Sequence, residues 1–184
     1  MLELRFRGFS VRVTFAFFAV VGLTASLGGA VQTQLLTVLL CSLMHELGHI
    51  LAMCLLGIPP ASVTFYAGGI MLPGSSLNCS RLKTCAVLAA GPAVNLCASA
   101  VSLLSGGSGM FAAAGLMLGL FNLLPFRSFD GGRLCLELTG SEPSAAVQLV
   151  CVLPLAAAAV YSCLCGKVPV SLIVTAMLIV ADSF

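Results

Sequence analysis

Charge is almost absent from the interior of this chain, and its distribution decides what the chain can fold into. Between Arg12 and Arg81 the only formally charged residue is Glu46. None lies between Lys83 and Arg127, between Glu142 and Lys167, or between Lys167 and Asp182. Of the 184 residues 8% are charged and 60% hydrophobic, and the mean hydropathy is +1.15, where an ordinary soluble domain carries about 25% charge. That balance excludes a soluble globular domain and a disordered chain. Eight Lys+Arg against six Asp+Glu cannot build the basic face of a nucleic-acid binder, so no nucleic-acid partner is expected. A polytopic membrane protein remains.

A spanning helix takes roughly 20 apolar residues. Polar and Gly-rich breaks divide the charge-free stretches into spans at about 13–29, 35–57, 84–105, 109–126, 144–165 and 168–184. The expected fold class is therefore all-α and polytopic, with about six transmembrane helices. Residues 1–184 form a single integral-membrane domain, with a core at about 10–140 and two further C-terminal spans over 144–184. Lys and Arg near span ends set the orientation. An N-terminus in the cytoplasm places Arg5, Arg7, Arg12, Arg81, Lys83, Arg127 and Arg133 there, and only Lys167 outside. Both termini are thus expected in the cytoplasm. The first span also reads as a signal peptide, with a basic start and small residues at 28 and 30; a retained span is the preferred reading. Nine cysteines are scattered without a C-x-x-C pair. Inside spans Cys behaves as a small apolar residue. Only Cys163 and Cys165, near the expected outer face, come into question as a pair, and cysteines two apart rarely meet disulfide geometry.

The second span carries L-M-H-E-L-G-H, with His45, Glu46 and His49. Residues four apart share a helix face, so both imidazoles can reach one metal, and Glu46 beside them can act as general base on a water. A carboxylate near mid-membrane costs about 2.5–3.5 kcal/mol on insertion scales, and these are the chain's only two histidines. A polar helix-packing cluster would have to reproduce zinc-helix spacing by chance. Catalytic zinc takes a third protein ligand and keeps one position open for water. Asp130, in N-L-L-P-F-R-S-F-D-G-G just after the fourth span, is a candidate on the expected face. Gly131-Gly132 lets the backbone turn closely there, and Pro125 breaks the helix before it. Taken alone, Asp130 reads equally as the N-cap of a short helix over 131–139.

With H-E-L-G-H at 45–49, G-P-A-V-N from Gly91 to Asn95, and N-x-x-P followed by D-G-G, the chain resembles the site-2 protease family of intramembrane zinc metalloproteases. Six spans with the metal motif in the second, and no inserted PDZ domain, look most like its sporulation-protease branch. The resemblance covers about residues 10 to 140. It implies zinc, one ion per chain, held by His45, His49 and Asp130, with Glu46 as the catalytic base. It also implies a bacterial cytoplasmic-membrane location, a membrane-protein or membrane-tethered substrate, and an inhibitory membrane partner of the kind that holds sporulation-type relatives inactive. There are departures. Arg127 and Ser128 stand where many members carry further prolines. The C-terminal cystathionine-β-synthase-like domain of some members is not expected here.

Asn95 and Asn122 sit in apolar spans and need partners. Each fits either a substrate or oxyanion contact or interhelical hydrogen bonding; the site role is favoured for Asn122, and for Asn95 the two are even. Gly115 and Gly119 form a G-x-x-x-G, read as close helix packing. Cys41, one turn before His45, reads as core. In the 58–80 loop two short apolar runs flank Ala67-Gly68-Gly69, which predicts a hairpin with a Gly turn, re-entering the membrane edge. A helical substrate must unwind before it can be cut. The strand Ser62 to Tyr66, with Val63 and Phe65, is expected to offer an exposed edge for it to pair with. The function expected from all this is intramembrane zinc endopeptidase activity, cutting a transmembrane segment or tethered protein near the cytoplasmic face. Two rivals are a six-span metal-binding transporter and an inactive relative acting as a binding module. A transporter would spread polar residues over several spans, whereas here they converge on one spot. An inactive relative would have lost Glu46 or a ligand.

Overall fold

Alternation of apolar and polar residues, not a helical period, governs the start of the chain. Leu2-Glu3-Leu4-Arg5-Phe6 and Phe9-Ser10-Val11-Arg12-Val13 form strands β1 (Leu2–Phe6) and β2 (Phe9–Val13), an antiparallel pair in which Glu3 stands opposite Arg12. The computed structural model describes residues 2–6, 9–60, 62–66, 69–71 and 79–153. Two compact units divide the chain, Met1–Leu120 and Phe121–Phe184.

In the first unit, β2 pairs in parallel with β3 (Ser62–Tyr66), and β3 pairs antiparallel with β4 (Gly69–Met71), giving the order β1-β2-β3-β4. A parallel pair needs a crossover. Here it consists of α1 (Phe15–Ser26) and α2 (Gly29–Leu55), which leave the sheet and return to it. Thr14 caps α1 through its hydroxyl. Its N–H donates to the Phe65 carbonyl at 2.9 Å, and the Phe17 and Phe65 rings meet edge to face at 5.5 Å. The expected 58–80 hairpin is present as β3 and β4. The N-terminal strands lie outside the sequence expectation, so the all-α reading is corrected to helices plus a four-stranded sheet.

A second correction concerns β3. Its expected free edge does not exist: β2 occupies one side and β4 the other. Val63 is 4% exposed and Phe65 packs on Phe17. Phe65 ties the sheet to α1, Val63 is buried, and neither offers an edge to a peptide. Among the described residues the edges are β1 and β4.

The polar run expected to separate the first two spans is helical. Gln32 donates to the Ala25 carbonyl, Thr33 to that of Gly29 and Thr37 to that of Thr33, so these side chains are satisfied on the helices themselves. Only Leu27 and Gly28 separate α1 from α2, and Gly29 takes a positive φ of 66°. At the other end, Gly57 at φ 73° closes α2, with Ile58 N–H on the Met53 carbonyl and Gly57 N–H on that of Cys54, a Schellman ending. The Lys83 ammonium donates to the Leu56 carbonyl at 2.9 Å, placing a cation at the negative end of the helix.

α3 (Arg81–Leu104) follows, and then α4 (Gly109–Asn122). Among the described residues α2 (27 residues) and α3 (24 residues) are long and apolar enough to cross a membrane; α1 and α4 are apolar but shorter. At a rise of about 1.5 Å per residue, α1 and α4 reach roughly 18 and 21 Å, short of the roughly 30 Å hydrocarbon core. The α2–α3 seam buries small and polar residues: Cys41, His45, Gly48 and His49 against Val87, Leu88, Gly91, Pro92, Asn95 and Ser99. Large apolar residues such as Leu47, Leu51 and Val101 face outward. Small residues inside and large ones outside is the arrangement of helices packed in lipid. α4 packs by the expected G-x-x-x-G: a Cβ on Gly115 would meet Ser99 Oγ, and one on Gly119 would meet Leu96 and the Pro92 carbonyl. Cys41 is core, 1% exposed, its thiol near the Phe111 carbonyl.

In the second unit a tight turn leads from Phe121 into α5 (Asp130–Thr139). The backbone is helical again from 145 to 153. The remainder of the expected fifth span, the whole of 168–184, Lys167 and the Cys163–Cys165 pair lie outside the described residues.

Candidate metal centre

His45 and His49 lie on the buried face of α2, 5% and 6% exposed, where the helix meets α3. Two glycines bring the backbones together. A Cβ on Gly48 would sit 2.9 Å from the Ala90 carbonyl oxygen and 3.1 Å from Gly91 Cα. A Cβ on Gly91 would intrude on the His49 ring and stand 2.9 Å from His45 Cε1. The imidazoles therefore lie directly on the α3 backbone, in space that exists only because residue 91 has no side chain.

The rings meet edge to face, centroids 4.7 Å apart at 83°, with their Nε2 atoms 3.1 Å apart. His49 Nδ1 lies 2.7 Å from the Val87 carbonyl oxygen. A carbonyl only accepts, so Nδ1 carries the proton and Nε2 presents its lone pair. This is the outer hydrogen bond that orients metal-binding histidines. Two nitrogens at about 2.0–2.1 Å from one zinc stand roughly 3.3 Å apart in a tetrahedral site, close to the separation found. The histidine pair fits a shared metal. Glu46, half-buried, follows His45 on the same helix.

One turn beyond Gly91 on α3, Asn95 is 1% exposed, and Ser99 a turn further is equally buried. Among the described residues Asn95 Nδ2 and Ser99 Oγ find no hydrogen-bond partner. Among those residues the Asn95 nitrogen thus has no interhelical partner.

Asp130 and Asn122 belong to the second unit. Asn122 ends α4 and Asp130 opens α5. Phe129, not Asp130, is the N-cap, and its side chain makes no capping bond. Asp130 is instead the first helical residue, an acid in the turn where the helix dipole favours it. The glycines after it have a steric reason. A Cβ on Gly131 would run into the Leu123 and Leu124 carbonyls, and one on Gly132 into that of Phe126. The first turn of α5 lies against the backbone of the 123–129 turn. That turn is held by Leu124, Phe126 and Phe129 N–H groups on the carbonyls of Phe121, Leu124 and Phe126, and by Phe126 buried to 1% exposure against the Phe129 ring. Asp130 thus sits on a rigid support. Sequence reasoning missed the Val87 carbonyl and the part played by Gly48.

No family model and no curated protein matches the chain. Among solved structures it is similar to the Site-2 Protease from Methanocaldococcus jannaschii, at a TM-score of 0.61 and 17% identity, over 98% of this chain and 92% of that one. The likeness in fold, the two long apolar helices and the outward-facing leucines point to a membrane protein.

Proposed function

We propose that the chain is an intramembrane zinc endopeptidase of the site-2 protease type, closest to its sporulation branch. The observation that carries this reading is the buried His45–His49 pair, Nε2 atoms 3.1 Å apart, on a helix that also carries Glu46. Three residues would each offer one donor to a single zinc per chain: an imidazole nitrogen from His45 and from His49, and a carboxylate oxygen from Asp130. Two imidazoles and a carboxylate form a three-ligand set that leaves one position open, as catalytic sites require. When bound, the metal supplies Lewis acidity to the scissile carbonyl and to water. Glu46 takes the proton from the attacking water and later delivers it to the leaving amine. Asn122 and Asn95 hold the substrate backbone and the developing oxyanion; the buried Asn95 amide, whose Nδ2 has no partner among the described residues, offers a donor.

The substrate is a transmembrane segment or a membrane-tethered protein, cut near the cytoplasmic face. It unwinds and adds as a strand to the outer edge of β4, which lies against α2 and has no partner on that side among the described residues. The chain spans a bacterial cytoplasmic membrane about six times with both termini inside, and a membrane partner controls access to the site.

Two measurements test these assignments. Asp130→Ala is expected to lower zinc content in purified protein as far as His49→Ala does, with Glu137→Ala unchanged; the third ligand is misassigned if Asp130→Ala keeps full zinc and Glu137→Ala loses it. For topology, a cysteine placed at 167 in a Cys-free background is expected to react with an impermeant probe from outside only, following the seven-to-one distribution of Lys and Arg. Labelling from the cytoplasmic side alone would reverse the orientation.

A further inference from the structure

The four-stranded sheet has two chemically different faces. The register places Leu2, Leu4, Val11, Val13, Val63 and Phe65 on one side and Glu3, Arg5, Ser10, Arg12, Ser62 and Thr64 on the other. The inner half of the apolar face is covered: Val63 is buried and Phe65 rests on Phe17 of α1. The outer half is not, with Leu2 52% and Leu4 48% exposed. On the polar face Glu3 receives Arg5 at 3.0 Å and Arg12 at 3.4 Å. Hydrogen bonding to Arg5, aided by the charges of Arg5 and Arg12, holds the Glu3 carboxyl below its ordinary value. The ion-paired side chains keep that face wet.

We propose that the outer half of the apolar face, on β1, rests on the lipid bilayer at the level where α1 enters it. The proposal rests on the membrane part of the functional reading and is independent of the catalytic part. Three observations favour lipid as the occupant. α1 follows β2 directly, and Phe15 and Phe18 in its first turn are 80% and 54% exposed, so uncovered apolar residues stand on the helix start as well as on the strand. β1 is an edge strand among the described residues. An open edge has unpaired backbone groups that hydrocarbon cannot satisfy, which fixes its depth at the interface, where headgroups and water can. A second copy of the chain is a poor occupant, because two leucines fall far short of the roughly 1,200 Å² that a stable interface buries, and the charges on β1 oppose edge-to-edge pairing. An amphipathic sheet of this kind would hold the starts of α1 and β3 at a fixed height, as interfacial helices do for other proteins.

The chain contains no tryptophan, so a single introduced Trp reports alone. The full-length protein carrying Leu4→Trp, reconstituted in vesicles with brominated acyl chains, is expected to lose emission to the same degree as Val101→Trp, an outward position on α3 that is 64% exposed. Arg5→Trp, on the opposite face of the same strand, is expected to keep its emission. Leu2→Trp repeats the measurement should Leu4→Trp fail to fold. The proposal is overturned if both leucine reporters stay bright while Val101→Trp is quenched, which would mean that something other than lipid covers the face. It is also overturned if Arg5→Trp is quenched equally, which would mean the strand has no membrane side. If Val101→Trp itself stays bright, the membrane reading fails with it.

Discussion

Glu46→Gln is expected to abolish peptide cleavage while zinc content and fold are retained. Gln matches Glu in size and can still hydrogen-bond, so the packing of α2 against α3 survives, and in the proposed ligand set His45, His49 and Asp130 still hold the metal. What disappears is the proton acceptor. A general base contributes typically about 10²–10⁴-fold, and the loss exceeds that range where the same carboxylate also protonates the leaving amine. Yield should be normal or higher, because a mid-membrane carboxylate costs about 2.5–3.5 kcal/mol on insertion. The variant should also retain bound substrate, which makes it a trap for pull-down. Cleavage of a model transmembrane substrate and metal analysis on the same preparation decide the matter. Retained activity would assign the base to another residue. Loss of zinc together with activity would make Glu46 a ligand and reopen the transporter and binding readings.

The features legible in the sequence are those with a short-range physical signature. The H-E-x-x-H spacing needs only the helical period, and the helix is there with its imidazoles on one face. The Gly-Gly turn predicted a hairpin, and β3 and β4 form it. The glycines after Asp130 announced a close backbone approach, and the carbonyls they would otherwise strike are now identified. The failures come from long-range pairing. β1 and β2 alternate apolar and polar residues over five positions each, but arginines before a span read more readily as a topogenic flank than as strand residues. Nothing local reveals that β2 pairs with β3 across the α1–α2 excursion. Without that partner, Ser62–Tyr66 looks like an edge strand and Val63 and Phe65 like docking residues. The Gly28-to-Gln34 stretch looks like a span break because side-chain bonds to preceding carbonyls, such as those of Gln32 and Thr33, are invisible in composition.

Gly91→Ala is expected to lower zinc occupancy nearly as far as removal of a histidine does, although residue 91 offers no donor atom. The added methyl would overlap the His49 ring and stand 2.9 Å from His45 Cε1. Its neighbours have little freedom to yield. The His49 ring is held by its bond to the Val87 carbonyl on the same helix as Gly91, and swinging it away breaks that bond and turns Nε2 off the shared point. Moving α3 outward instead separates the helices where Gly48 already stands 3.1 Å from Gly91 by its would-be Cβ. Groups that orient metal-binding histidines typically account for 10–100-fold in affinity, and a steric wedge against both rings belongs at the upper end. Gly→Ala inside a helix ordinarily stabilises by about 1 kcal/mol, which offsets part of the about 1–3 kcal/mol that overpacking costs. The metal-free protein should therefore stay folded while the metal is lost. Thermal unfolding without metal, read beside zinc titration, separates the two effects: a folded metal-free protein with a modestly lowered melting temperature and zinc affinity reduced at least about tenfold is the expected outcome. Normal zinc affinity in Gly91→Ala would show that the rings have room the structure does not give them, and the two imidazoles would then have to meet a metal from some other orientation.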